Sequence, residues 1–148
     1  MNVSDFSFNF VEFRGLRTLL HIAAVQNLCM WVADITTAFL HAPTDDVFVR
    51  PPTTHRSPGR IWRLHRALYG LRKAPHHFRE WLVSVLVEKL GFECSRVDPS
   101  IFVNMKMREY MCVHVDDPLA VGTEEAIAEM WTQLEKHVLI IIKRAGKV

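Results

Sequence analysis

Apolar positions along the chain follow two rhythms, one with the period of a helix and one with the period of a strand. Leu16, Leu19, Leu20 and Ala23 recur at i, i+3, i+4 and i+7, which predicts an amphipathic helix over residues 14–26 stopped by Asn27. Residues 28–33 are a short apolar run that reads as a buried strand, with the Asp34 carboxylate at its C-terminal end. Residues 35–40 form a tight connection and 41–46 a loop; Val47 to Val49 is a brief strand halted by Pro51 and Pro52. Residues 51–60, rich in Pro, Thr, Ser and Gly, read as a loop, and Ile61 to Leu64 as a strand. Residues 67–75 are irregular, with Gly70 at a position of positive φ or close approach.

The second half repeats the theme. Phe78, Leu82, Val85, Leu86 and Leu90 define one helix face that Gly91 ends. After a turn at Asp98-Pro99-Ser100, residues 101–103 and 111–115 pair as a hairpin across residues 106–109. Thr123 caps the last helix, with Glu124 and Glu125 in its first turn, where the macrodipole favours anions. Ile127, Met130, Trp131, Leu134 and Val138 form its apolar stripe, and residues 138–142 close as a strand. The sum is an α+β fold with a mostly antiparallel sheet packed on helices.

At 148 residues the chain is one domain, large enough for a core, and 49% hydrophobic with 23% charged residues is a globular balance. No apolar run nears the roughly 18 residues that span a bilayer. The first five residues lack the order of a signal peptide, so an intracellular location is expected. The three cysteines, Cys29, Cys94 and Cys112, are far apart and read as buried reduced thiols.

Net charge is +2, but its distribution is uneven. Eight basic residues and no acidic one lie between Arg50 and Arg79, Arg63, Arg66, Arg72 and Lys73 among them. Such a stretch is either a solvated face or a surface that grips phosphates.

Two carboxylates, Asp116 and Asp117, stand side by side where the apolar run 110–115 must turn. Adjacent like charges at the mouth of a strand repel, so the pair is either a solvated turn or a cation site. Asp34 ends another strand. If the two strands are sheet neighbours, three carboxylates converge, enough to hold two Mg²⁺ about 3.5–4 Å apart for in-line phosphoryl transfer. The eight histidines show no zinc-ligand spacing, and no nucleophile elbow or glycine-rich phosphate loop occurs.

Four ordered motifs carry a resemblance. Residues 34–41, Asp-Ile-Thr-Thr-Ala-Phe-Leu-His, resemble the D-V-K-T-A-F-L-H motif of copia-type retrotransposon reverse transcriptases. Residues 67–75 resemble A-L-Y-G-L-K-Q-A-P, residues 98–102 resemble D-P-S-L-F, and residues 113–117 resemble the V-Y-V-D-D hairpin. The likeness runs from about residue 5 to residue 136 and implies a palm with part of the fingers, without thumb or RNase H.

The resemblance implies roles as well. Asp34, Asp116 and Asp117 would hold two Mg²⁺, with Mn²⁺ as a substitute, for addition of deoxynucleotides to a primer 3′ end on an RNA or DNA template. Phe39 would lie beneath the incoming sugar and exclude a 2′-hydroxyl. Tyr69 and Gly70 would line the nucleotide pocket, Arg72 and Lys73 would help hold phosphate or template, and His114, Arg63 and Arg66 would meet nucleic acid. The remainder of a polyprotein is the implied partner, and a cytoplasmic virus-like particle or the nucleus the implied location. This chain departs from the pattern at His114, a tyrosine in the family, and at Pro118, an aliphatic residue there. This chain alone is expected to be inactive; the other reading is a non-catalytic remnant that at most binds nucleic acid or a partner.

Overall fold

Helix α1 (Phe13–Gln26) ends where Asn27 takes a left-handed φ of 52° and the Leu28 N–H reaches back to the Ala23 carbonyl at 2.9 Å. This is a Schellman closure, and asparagine tolerates the left-handed region better than most residues. The computed structural model that shows it describes residues 13–55 and 59–147. Arg56 of the basic stretch therefore lies outside the described residues, as do residues 5–12 of the resemblance.

Strands β1 (Cys29–Ile35), β4 (Glu93–Cys94), β5 (Ile101–Asn104), β6 (Glu109–His114), β7 (Asp117–Gly122) and β8 (Ile140–Lys147) form one sheet. Its order is β4-β5-β6-β7-β1-β8, and every pairing is antiparallel. Between β1 and β4 the chain leaves the sheet to make a two-stranded ribbon of β2 (Pro43–Val49) and β3 (Trp62–Arg66).

Alternation along β1 puts Cys29, Trp31, Ala33 and Ile35 on one face of the sheet, and Met30, Val32 and Asp34 on the other. The first face carries the main core. There α2 (Ala74–Ser84) and α3 (Glu124–Leu134) bury Phe78, Leu82, Ile127, Trp131 and Leu134 against the strands. Helix α1 covers one end of the second face, where Leu19 and Ala23 meet Cys112 and Val121. The other end of that face, where Asp34 lies, is the end that matters for function.

The turn before β5 is built by its own motif. Asp98 Oδ1 accepts the Ser100 N–H at 2.9 Å and the Ser100 hydroxyl at 2.6 Å, and Arg79 of α2 donates to the Pro99 carbonyl at 2.8 Å. Gly15 on α1 faces this turn; a Cβ there would collide with the Asp98 carboxylate and press on Ile101. The motif thus seats α1 and α2 against the strand that supports the hairpin, since the Val113 N–H donates to the Ser100 carbonyl at 2.9 Å.

Several expectations are corrected. Residues 43–46 are strand rather than loop, because Pro43 pairs with Arg66 and a register shift before Val47 absorbs the polar residues between. The helix expected to run to Leu90 is α-helical only to Ser84 and continues as a π-helical turn over Val85–Lys89. Val115 is not in the strand but in the turn, and β7, with its apolar Leu119-Ala120-Val121, was not anticipated. Val138 is buried but lies after the helix, and β8 begins at Ile140. Cys94 is exposed, whereas Cys29 and Cys112 are buried as expected. Among the described residues no helix is long and apolar enough to cross a membrane.

One buried carboxyl titrates unusually. Glu109 is 5% exposed and accepts a hydrogen bond from Asn104 Nδ2 at 3.2 Å. Burial raises its pKa from 4.5 to about 7, against the opposing effect of that hydrogen bond. The unfolded chain releases this proton near pH 4.5 and the folded chain only near 7, so stability falls as pH rises through that window. Glu109→Gln keeps an acceptor for Asn104 without the charge. It is expected to be about 3 kcal/mol more stable than the parent at pH 8 and no more stable at pH 4.5, by urea unfolding at the two pH values. A gap independent of pH would show that Glu109 is not protonated in the folded chain.

Candidate functional site

The β6–β7 hairpin closes with His114 opposite Asp117 and only Val115 and Asp116 between them. A two-residue connection needs positive φ at its first position, and Val115 supplies it at 53°. A β-branched side chain there is strained, a cost that folds retain mainly where a turn is tied from outside. The tie is visible: the Asp116 carbonyl accepts the Ile35 N–H at 2.8 Å, stitching the hairpin tip to the end of β1.

Register then places the carboxylates. Val32 pairs with Leu119, and continuing that register by two residues brings Asp34 level with Asp117. Asp34, Asp117 and His114 so form one row across β1, β7 and β6, on the face of the sheet opposite the main core. Side chains directly opposed on neighbouring strands have Cβ atoms about 4.5–5.5 Å apart. Asp34 and Asp116 are half-buried, while Asp117 and His114 are exposed. Among the described residues no three His, Cys, Asp or Glu side chains are yet gathered as a ligand group, so the convergence is one of backbone positions.

Pro118 follows Asp117 in a central strand and is buried toward the main core. Proline has no N–H to give β1, and the β1–β7 ladder stops at Val32–Leu119, one pair short of it. In return the ring holds Asp117 out of the α region, in the extended conformation that keeps its carboxylate on the open face.

Beyond β1 the chain turns through Thr37, at φ 53°, into a 3₁₀ turn over Ala38–His41. Ala38 is fully buried, which anchors the turn. The Phe39 ring lies 4.5 Å from that of Tyr69 and 6.0 Å, edge-on, from that of Phe78. Gly70 has φ of 95° and no atom within 4 Å of where a Cβ would stand, so its role here is the turn rather than close packing within the chain.

The basic residues divide. Arg63 pairs with Asp46 at 2.6 Å and Lys73 with Asp45 at 3.2 Å, both at exposed sites where such pairs are weak and screened. Arg66 donates to the His41 carbonyl at 2.6 Å, a structural contact. Arg72 and Lys73 line an open depression of about 520 Å³ with Asp45, His76, His77 and Glu80. Sequence reasoning missed Asp45 and the ring partners of Phe39 and His41, namely Phe78 and Trp81. Nothing local marks these; only the fold brings them in.

The family model for reverse transcriptase (RNA-dependent DNA polymerase) matches residues 2–142. The chain is 33% identical over 137 residues to a retrovirus-related Pol polyprotein from transposon RE2 of Arabidopsis thaliana, covering 87% of this chain and 9% of that protein. It is 30% identical over 131 residues to a truncated transposon Ty1-A Gag-Pol polyprotein of Saccharomyces cerevisiae, covering 87% of this chain and 11% of that one. The chain thus spans about a tenth of the length of these relatives. With the four motifs, the antiparallel sheet and a match across nearly its whole length, the chain belongs to the reverse transcriptase family, in its copia-type retrotransposon branch.

Proposed function

We propose that this chain is the palm of an RNA-directed DNA polymerase that adds deoxynucleotides to a primer 3′ end, and that it does not do so unaided. One observation carries the reading: the Ile35–Asp116 hydrogen bond and the β1–β7 register bring Asp34, Asp116 and Asp117 to one edge of an open sheet face. Carboxylate oxygens are the donors that Mg²⁺ prefers, and such ions usually keep waters or substrate phosphates as further ligands. The three aspartates would hold the two ions, which when bound activate the primer hydroxyl and neutralise charge on the leaving pyrophosphate.

The chain's own residues do the rest by placement. Phe39, braced by Tyr69 and Phe78, presents a flat wall against which a 2′-hydroxyl would clash. Exposed Arg63 and Lys73 exchange their weak internal partners for phosphates of template and primer, a contact that reads no sequence. His114, exposed in the acid row, faces the primer end with a shorter polar ring than the family's tyrosine.

The test uses a labelled DNA primer on an RNA template. The chain is expected to bind it, with affinity falling about tenfold or more between 50 and 200 mM salt, yet to show no incorporation with Mg²⁺ and deoxynucleotides. Mg²⁺-dependent extension that Asp116→Asn abolishes would show that the palm suffices alone. No binding at low salt would contradict the polymerase reading. It would favour a non-catalytic remnant, a reading supported by the interrupted ladder at Pro118.

A further inference from the structure

His41 occupies the place of a missing rung. Thr36 and Leu139 extend the β1–β8 register by one pair beyond Ile35–Ile140, and the Thr36 N–H donates to the Leu139 carbonyl at 2.8 Å. In a regular antiparallel rung the Leu139 N–H would return the bond to Thr36. Instead the Leu139 N–H points at His41 Nε2, 3.4 Å away, and the same nitrogen lies 3.1 Å from the Thr36 carbonyl oxygen. With its proton on Nε2 the ring donates to Thr36; with its proton on Nδ1 it accepts from Leu139. The ring also lies flat on Trp81 of α2, centroids 5.6 Å apart and planes within 11°.

The span from Thr36 to His41 contains Phe39. Its first residue is held by Leu139 and by the imidazole, and its last carries that imidazole and gives its carbonyl to Arg66. The imidazole is therefore the side chain that ties the last residue of the turn back to its first. We propose that His41 is the positioning residue of Phe39, closing the 36–41 turn so that the ring stays against Tyr69 and discriminates against ribonucleotides. The second half of this statement rests on the sugar-facing role given to Phe39 above; the first half does not.

Two substitutions separate the contributions of the ring. His41→Phe keeps a ring for Trp81 and removes both polar contacts, whereas His41→Gln restores an amide that can donate to Thr36. The readout is the set of ring-to-ring proton contacts between Phe39 and Tyr69 by NMR, with near-ultraviolet circular dichroism as the check on folding. Loss in His41→Phe and retention in His41→Gln is the expected result; retention in both, or loss in both, overturns it. Should His41→Phe not fold, the parent chain decides by NMR. Proton contacts from the His41 ring to Thr36 and Leu139, which either tautomer gives, are expected, and a ring without them overturns the clamp.

Dissociation constants for dGTP and GTP with Mn²⁺ then address selectivity. The preference for dGTP is expected to shrink about tenfold in His41→Phe and to persist in His41→Gln. An unchanged preference in a folded His41→Phe would overturn the selectivity half. If the chain bound neither nucleotide while the ring contact still followed His41, the clamp would stand and the sugar-facing role of Phe39 would fall.

Discussion

Phe78→Ala is expected to lower the unfolding free energy by about 3–5 kcal/mol, the usual cost of truncating a fully buried aromatic. Phe78 is 1% exposed and sits in the main core between α2 and the sheet. It also touches both Phe39, at 6.0 Å, and Trp81, at 6.2 Å. The cavity left behind would lie beside the ring of Phe39, so the effect reaches beyond stability: Phe39 loses its edge-on neighbour and Trp81 loses a tilted one. Urea unfolding followed by tryptophan fluorescence measures the first effect. A loss below about 1 kcal/mol would mean that the ring is not packed as described. Leu82→Ala, in the same core but without a ring to pack edge-on against Phe39, provides the comparison for stability alone.

The sequence made the elements with strong periodicity readable. The α1 stripe ends at Asn27 as expected because the stop is local chemistry: a residue tolerant of positive φ followed by an apolar one. Thr123 likewise caps α3 by accepting the Ala126 N–H at 3.2 Å, a bond contained within four consecutive residues. What escaped the pattern depended on pairing. Residues 43–46 carry Pro, Thr and two Asp, which no propensity would call a strand, yet Pro43 pairs with Arg66 of β3 and the register shift before Val47 takes up the residues between. Pro118 argues against a central strand, and β7 runs through it because β6 holds it on one side by a turn of two residues. The π-helical turn at Val85–Lys89 leaves no local signature, since the apolar spacing there suits either helix type.

The site was legible in a different way. Periodicity put Asp34 and the Asp116-Asp117 pair at strand ends, and the motifs placed them in an order seen in one family. Their convergence was conditional on β1 and the hairpin being neighbours, and β7, lying between β1 and β6, makes them so. Tyr69 and Phe39 stand 30 residues apart and meet only because the ribbon returns the chain to the sheet. The basic stretch reads in the sequence as either a solvated face or one that grips phosphates. In the fold Arg66 is spent on the His41 carbonyl, and Arg63 and Lys73 have carboxylate partners of their own. Charge counts along a sequence do not show such internal pairing.

Asp34→Asn with Asp116→Asn is expected to have the largest effect on ligand binding. The two residues approach from β1 and from the β6–β7 turn, and each substitution removes a formal negative charge and a strong oxygen donor from the proposed cation site. Asparagine keeps the shape, so the sheet is expected to fold unchanged. Removing the like-charge repulsion among the acids would, if anything, favour folding slightly. A drop in cation affinity without a drop in stability is therefore the signature of a site rather than of damage.

Calorimetric titration of the chain with Mn²⁺, parent against the double variant, tests this most directly. Saturable binding in the parent that weakens by about a hundredfold or more in the variant is the result expected of two lost charged ligands. Identical heats from both proteins would contradict the account: the strands would bring the three aspartates to one edge without making a metal site of them.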